Sequence, residues 1–540
     1  MSSEDYDLKR DPEKLHSELS SVDATTAAPD FSNGLRRKLK NRHISMISIG
    51  VIGTGLFLGT ASGLQNGGPV GLLLGYAFIG SICYAVMTSL GEMVAYLPLP
   101  GGHITMAERF VEPAMSFAMG WNYWYVWTII LPAELAAGAV LVNYWTKVVP
   151  NAAWIAIFLV GILAVNLLGA GAYGEAEFFF ASIKVITIVG LIILGIVLDL
   201  GGGPSHDRIG FRYWKNPGPF VQYAGIPGAK GRFLAFWGSL TQAAFSYIGT
   251  EVVAIAGGEA KNPRRNIPKA IKRVYVRMAL FYLGGVTVIG LLVPSSHPDL
   301  SLKTSDAAKS PFVIAIRAAG IKGLPSVINA AILTSALSAG VSDLYCSSRA
   351  IYGLAATGNA PKIFMTVTKR GVPWIAVLFQ ASFGLLAFMC LSDGPGKVFG
   401  WFGNMTSIAG LVSWSGICMT YIRFHAGMKA QGMDRRKLPY ISRFQPYTAY
   451  YGAIVSIFIC ITCGWNVFLR GNWATDSFVT NYIPLVLFPV MFIVAKLWRR
   501  TSLIEPANMD FKTGLAEVEA ASYDEPPPRN RLEAFWQWLM

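Results

Sequence analysis

Charge is scarce in this chain. Asp, Glu, Lys and Arg make up 14% of its 540 residues, against 53% hydrophobic, and mean hydropathy is +0.44. A soluble fold needs more polar surface than that, so a water-soluble enzyme or scaffold is excluded. Cysteine is also sparse. Cys83, Cys346, Cys390, Cys418, Cys460 and Cys463 all fall in apolar segments, where free thiols are expected and no disulfide framework. Cys460 and Cys463 have redox-like spacing but no thioredoxin-like surroundings. The histidines His16, His43, His103, His206, His297 and His425 lie in loops or at segment ends. No His/Asp/Glu cluster sits at membrane depth, which argues against an intramembrane metalloenzyme. The pattern Gly-x-x-x-x-Gly-Lys-[Ser/Thr] is missing, so no ATP-driven step is expected, and no cofactor or metal. Residues 1–43 are polar and lack the apolar core of a signal peptide, so the first apolar segment is expected to direct insertion.

What the chain has is long apolar runs. Hydropathy predicts twelve spans, at about 44–66, 69–97, 113–145, 152–169, 176–199, 233–257, 271–294, 325–349, 373–391, 398–423, 447–468 and 479–498. The expected layout is a tail over 1–42, a membrane unit over 43–500 and a second tail over 501–540. The formal net charge of +14 gathers in short loops, at Lys261–Arg273, Lys362–Arg370 and Lys429–Arg443. Those loops share one side if the basic end of the first tail is cytoplasmic, so both termini are expected there. This distribution is a topology signal and not a nucleic-acid footprint. Pro526-Pro527-Pro528 precedes an aromatic C-terminus ending in Phe535-Trp536-Gln537-Trp538, suited either to a membrane surface or to the protein's own face.

Two apolar runs are interrupted. Gly50, Gly53, Gly55 and Gly59 crowd the middle of the first, where each glycine weakens a helix by about 1 kcal/mol relative to alanine. Ile52-Gly53-Thr54-Gly55 is echoed by Ile248-Gly249-Thr250-Glu251 in the sixth. An unwound turn at mid-depth must be buried in protein or line a cavity, because lipid satisfies no backbone group. Paired interruptions in corresponding segments point to a secondary transporter's site. The bland alternative is close helix packing at small residues. On this reading 44–199 and 233–423 are two five-helix halves of inverted topology, and 447–498 supplies helices eleven and twelve.

The chain resembles the fungal amino acid permeases of the amino acid–polyamine–organocation superfamily. The resemblance spans residue 36 to about 500. It is carried by Ile52-Gly53-Thr54-Gly55-Leu56-Phe57, Gly91-Glu92-Met93-Val94-Ala95-Tyr96-Leu97-Pro98, Gly120-Trp121-Asn122-Tyr123-Trp124, Leu131-Pro132-Ala133-Glu134, Phe179-Phe180-Ala181-Ser182-Ile183-Lys184, Tyr247-Ile248-Gly249-Thr250-Glu251 and Gly258-Glu259-Ala260-Lys261-Asn262-Pro263-Arg264. Ile49 departs from it, since many members have a further glycine there. Ser342-Asp343-Leu344-Tyr345 is similar to the dicarboxylic branch. The resemblance implies an all-α polytopic fold of the leucine-transporter type, a 5+5 inverted repeat plus two C-terminal helices. It also implies proton-coupled amino acid import across the plasma membrane by alternating access. The implied partners are the amino acid, protons, the lipid bilayer and trafficking machinery at the tails, with no nucleic acid.

Candidate residues follow from both lines of argument. The backbone amides of Gly53, Thr54 and Gly55 suit a substrate carboxylate at a half-helix end, and carbonyls from Ser246 to Gly249 suit its ammonium. Glu134, Phe245, Tyr247 and Thr406 are the candidates for side-chain selection. Glu134 is an acid inside an apolar segment and so a functional candidate, with a buried structural acid as the alternative. Lys184 is expensive at mid-segment and needs a partner. The resemblance implies that it carries the coupling proton, and Ser338, Ser342 and Asp343 are candidate neighbours. Glu92 and Glu259 are candidate acids of a cytoplasmic gate, pairing with the 261–273 loop. A permease-like sensor that binds without transporting is the rival reading, and the short N-terminal tail favours transport over it.

Overall fold

The computed structural model describes residues 53–99, 101–252, 268, 269, 271, 274–276, 278–300, 310–515 and 530. Among them there is helix, turn and loop but no strand. A π-helical turn, Gly55–Gly59, leads into α1 (Thr60–Tyr96). There follow α2 (His103–Phe110), α3 (Pro113–Val142), α4 (Asn151–Leu168), α5 (Ala170–Asp199), α6 (Gly228–Tyr247), α7 (Gly284–Leu292), α8 (Leu324–Ala356), α9 (Trp374–Phe383), α10 (Pro395–Ala430), α11 (Tyr447–Thr462) and α12 (Thr475–Arg499). Each of the twelve expected spans contains helix. The first two run together across a kink where Gly68 takes φ 76° and Pro69 follows. A side chain at Gly68 would stand 2.8 Å from the Pro219 carbonyl, so glycine serves both the turn and the close approach.

Among the described residues, ten helical segments are long and apolar enough to cross a membrane. The chain is a multi-pass membrane protein. α6 falls outside that set because Lys230, Arg232, Gln242 and several small residues dilute it. Burial divides the helices into an inner and an outer group. Of the most apolar stretch, 89% is buried in α3 and 83% in α10, but 17% in α4 and 22% in α12. Ile157 and Val160 of α4 and Val486, Val490 and Ile493 of α12 are exposed, as side chains facing hydrocarbon should be. α5, α8 and α10 run beyond the lengths that hydropathy predicts, since a helix does not stop where its apolar stretch stops.

One end of the bundle is closed by polar and aromatic contacts. Glu92, fully buried on α1, accepts from Arg435 Nη2 at 2.5 Å, from Ser442 N–H at 2.6 Å and from Tyr421 OH at 2.5 Å. Residues 501–515 strap the same end. Phe511 packs among Tyr96, Phe110 and Phe424 with ring centres 5.0–6.4 Å apart. Gln431 donates to the Met509 carbonyl at 2.7 Å, and Lys496 pairs with Glu112 at 3.0 Å. The aromatic C-terminal residues 532–540 lie outside the described residues.

Removing one partner of a buried ion pair leaves an uncompensated charge, at about 3–5 kcal/mol. Arg435→Leu should therefore sharply lower the thermal unfolding temperature of the purified protein. Adding Glu92→Gln should restore much of the loss, and a double variant no more stable than the single would contradict the ion-pair account. A second expectation concerns His103 on α2, buried against Tyr123 with neither ring nitrogen hydrogen-bonded among the described residues. Burial pushes its imidazole down to about 4. The folded value lies below the unfolded one, so the unfolded chain binds the extra proton between them. Stability is lost as pH falls from about 6.5 towards 4, by on the order of 3 kcal/mol. His103→Phe should gain on the wild type in melting temperature across that window. A constant difference would show that His103 does not contribute.

Candidate functional site

Two helix breaks meet inside the bundle. At the first, Thr54 precedes the π-helical turn Gly55–Gly59, all of it buried. A Cβ on Gly55 would lie 2.8 Å from Ser246 Oγ and 3.0 Å from Ser246 Cα, so glycine is what admits the second break this close. At that second break α6 stops at Tyr247. Ile248 turns extended at φ −62°, ψ 139°, and Gly249 takes φ 97°, a left-handed conformation that suits glycine.

Side chains from other helices and from the second break itself hold the freed polar groups, as a lipid environment demands. Tyr282 OH donates to the Ser246 carbonyl at 2.7 Å. Glu251 Oε2 accepts from Gly249 N–H at 3.0 Å and from Trp414 Nε1 at 3.2 Å. At the first break Glu134 reaches over from α3. Its Oε1 accepts from Thr54 N–H at 3.3 Å and from Thr54 Oγ1 at 3.0 Å. Among the described residues its Oε2 is buried with no hydrogen-bond partner, and so is Asp343 Oδ2 on α8.

Both acids border a cavity between the breaks. Its polar wall is Gly53, Gly55, Glu134, Ser342 and Asp343, and its apolar wall is Val126, Trp127, Ile130, Phe245, Ile248 and Ala339. The free space is about 20 Å³, enough for about one water and too little for any amino acid. The helices around it must part before an organic solute can enter.

Lys184 lies behind this cavity on α5, 1% exposed. Its Nζ is 4.0 Å from Glu177 Oε1, and Glu134 and Asp343 are within electrostatic reach. Glu177 Oε2 accepts from Ser338 Oγ at 2.9 Å and Ser342 Oγ at 3.0 Å, tying α5 to α8.

Of the residues expected from sequence, Gly53, Gly55, Glu134 and Phe245 line the cavity, and Thr54 holds Glu134. Tyr247 does not line it. Its ring sits between Tyr76 and Tyr282, with centres 5.8 and 4.4 Å away, and its hydroxyl donates to the Tyr76 carbonyl. Gly249 lies at the second break, behind Ile248. Thr406 is buried and donates to the Phe402 carbonyl of its own helix, outside the lining. Glu92 belongs to the strapped end, where its partner is Arg435. Glu259 and the 261–267 part of its expected partner loop lie outside the described residues. The sequence reading missed Glu177 and Trp127. Glu177 was legible by the same rule that picked Glu134, but the hydropathy boundary at 176 put it at a helix end, whereas α5 begins two turns earlier.

Residues 43–505 match the family model described as amino acid permease. The chain belongs to the amino acid permease family. It is 42% identical over 539 residues to a proline-specific permease of Emericella nidulans, covering 98% of this permease and 96% of that one. It is 40% identical to a lysine-specific permease of Saccharomyces cerevisiae, covering 99% and 85%. With the dicarboxylic amino acid permease of the same yeast it shares 42%, covering 92% and 83%. A manganese transporter from Eremococcus coleocola has a like fold, of the leucine-transporter type, with TM-score 0.55 at 12% identity over 89% of the permease and 98% of that chain.

A methyl group added at Gly53 would stand 2.6 Å from Glu134 Oε1. Gly53→Ala should push the carboxyl off Thr54 and raise the KM for amino acid uptake by roughly tenfold, the equivalent of one charge-assisted hydrogen bond. Uptake kinetics unchanged in a variant that reaches the membrane would remove the Thr54–Glu134 contact from the site.

Proposed function

We propose that this permease imports neutral amino acids across the plasma membrane, driven by protons and working by alternating access around the cavity between the two breaks. The observation that carries the reading is Glu134, with one carboxyl oxygen capping the first break and the other facing the cavity unpaired. Every amino acid brings a carboxylate and an ammonium on one carbon. The Gly53–Gly55 amides serve the first, helped by the half-helix dipole. The free oxygens of Glu134 and Asp343 serve the second, along with the carbonyls of the second break. No cation lines the cavity among the described residues, and two carboxyl groups do. An acidic side chain would meet like charge there, which favours neutral substrates and speaks against dicarboxylic ones. The apolar wall from Val126 to Ala339 suits a small apolar side chain.

Lys184 is the proposed coupling group. Three carboxyl groups, Glu134, Glu177 and Asp343, surround this one buried amine. Fully ionised, the cluster would carry excess negative charge in a low-dielectric place, so a proton-binding cluster fits its composition. Both termini and the strapped end are read as cytoplasmic from the basic loops. The cavity, too small for substrate, fits a state closed to both sides.

The test is uptake of labelled amino acids, L-proline and L-alanine first, by permease-deficient cells at acidic and neutral pH. Uptake should rise in acid, collapse with a protonophore and resist competition by aspartate and glutamate. Absence of uptake by a chain shown at the surface would turn the reading towards a sensor, and strong competition by glutamate would overturn the neutral range. Lys184→Ala should abolish accumulation against a gradient while exchange persists. Full accumulation by that variant, with normal pH dependence, would take Lys184 out of the coupling.

A further inference from the structure

The face of α5 that carries Lys184 carries two more polar groups. Tyr173, Glu177 and Lys184 are spaced by four and seven residues, so they form one stripe along the helix. All three are buried, each 1% exposed. Helical side chains lean towards the N-terminus, so the lysine stem reaches down the stripe to Glu177. Beyond Glu177 the contacts continue without a gap. Glu177 Oε2 takes the Ser342 hydroxyl at 3.0 Å, and Ser342 Oγ accepts from Tyr173 OH at 3.3 Å. The Tyr173 ring stacks on Tyr345 at 3.8 Å, and the Arg349 guanidinium lies over Tyr345 at 3.2 Å. Glu177 is about 10 Å further along the axis than Lys184, at 1.5 Å per residue, and Tyr173 about 6 Å further still. The stripe therefore descends from mid-depth to the corner between α4 and α5, where Gly169 meets Val372 of the 357–373 loop.

We propose that Glu177 is the acceptor to which Lys184 passes the coupling proton, and that Ser342 and Tyr173 continue its exit towards the 357–373 end. The inference rests on Lys184 being the coupling group. In the step the Nζ–H bond breaks and an Oε1–H bond forms. The ammonium becomes a neutral amine and the carboxylate a neutral carboxylic acid, so charge and protons balance with no further reactant. For the exit the carboxyl turns its O–H to Ser342, and the Ser342 and Tyr173 hydroxyls, which here donate towards Glu177, reverse. Each hydroxyl gives up its own proton as it receives one, so Glu177 returns to carboxylate and one proton leaves from Tyr173. The present 4.0 Å is outside hydrogen-bond reach, and transfer needs the lysine to approach by about 1 Å or one bridging water. The other titratable groups facing this pair are Glu134 of α3 and Asp343, Tyr345, Cys346 and Arg349 of α8. α4 and α7, which also pack on α5, contain no titratable side chain.

Glu177 also pins α5 to α8 through two serines, so the test must separate proton transfer from structure. Glu177→Gln does this, because the amide oxygen still accepts from Ser338 and Ser342 but takes no proton. Wild type and variant would be compared with labelled L-proline and L-alanine in concentrative uptake from pH 4.5 to 7.5 and in counterflow exchange, where no net proton movement is needed. The variant should keep exchange, lose its acid activation and accumulate about a hundredfold less, the low side of what a positioned proton-transfer group contributes. A wild-type accumulation ratio and pH profile in Glu177→Gln would overturn the inference while leaving Lys184 in place. Loss of exchange together with accumulation would also overturn it, in favour of a purely structural pin. Should that variant fail to reach the membrane, Tyr173→Phe decides. It keeps the stacked ring and loses the hydroxyl, and it should lower accumulation and flatten the pH profile with exchange intact, whereas unchanged behaviour would refute the exit path. A wild type whose uptake ignores pH and protonophore would fail the proposed function itself, and the inference with it.

Discussion

The Thr54–Glu134 contact answers the constraint that governs the whole molecule. A helix broken inside a bilayer exposes donors and acceptors that lipid cannot satisfy. Water can do so only where there is room, and here there is about 20 Å³. The protein therefore brings its own polar groups to each break. Glu134 comes from α3, and Glu251, Tyr282 and Trp414 converge on the second. α3 and α10, whose apolar stretches are 89% and 83% buried, carry two of those groups, Glu134 and Trp414, to the centre.

The same device creates the binding chemistry. A carboxyl group that caps a helix start with one oxygen leaves its second oxygen to be satisfied by something else. An amino acid supplies both a carboxylate for the amides and an ammonium for that oxygen. On the proposed function, structural satisfaction and substrate binding use the same atoms, and a bound amino acid would compete with Glu134 for Thr54.

Sequence made the breaks legible because glycine and charge are conspicuous against an apolar background. Gly53, Gly55, Glu134 and Lys184 all stand out on that ground. Rotation about a helix axis is another matter. Hydropathy locates a residue along a span but not around it, and packing decides whether Tyr247 faces the cavity or Tyr76. Phe245 and Tyr247 are two residues apart on one helix, hence about 200° apart in direction, so both cannot face one cavity. Thr406 is another case, since its hydroxyl closes on its own backbone, as a threonine in a helix readily does. Glu177 escaped for a reason of length, because polar residues near a helix end blur where it starts. The pairing of Glu92 with Arg435 spans 343 positions, and no local pattern encodes it.

Substrate choice must arise where the common chemistry ends. If, as proposed, backbone amides and the two carboxyl oxygens take the α-carbon groups common to every amino acid, they cannot discriminate among side chains. Discrimination would then fall to the apolar wall, where Val126, Trp127 and Ile130 of α3 line the cavity with Phe245 and Ile248. These walls belong to different elements, since α3 packs on α8 and α10 whereas the first break packs on α1 and α6. A solute larger than one water holds them apart by its own bulk. On the proposed alternating access, the size limit of the site would be set by how far α6 parts from α3 and not by the volume seen with the helices closed. Gly410, where any added side chain would meet Ile248 of the second break, would then bear on specificity without touching substrate.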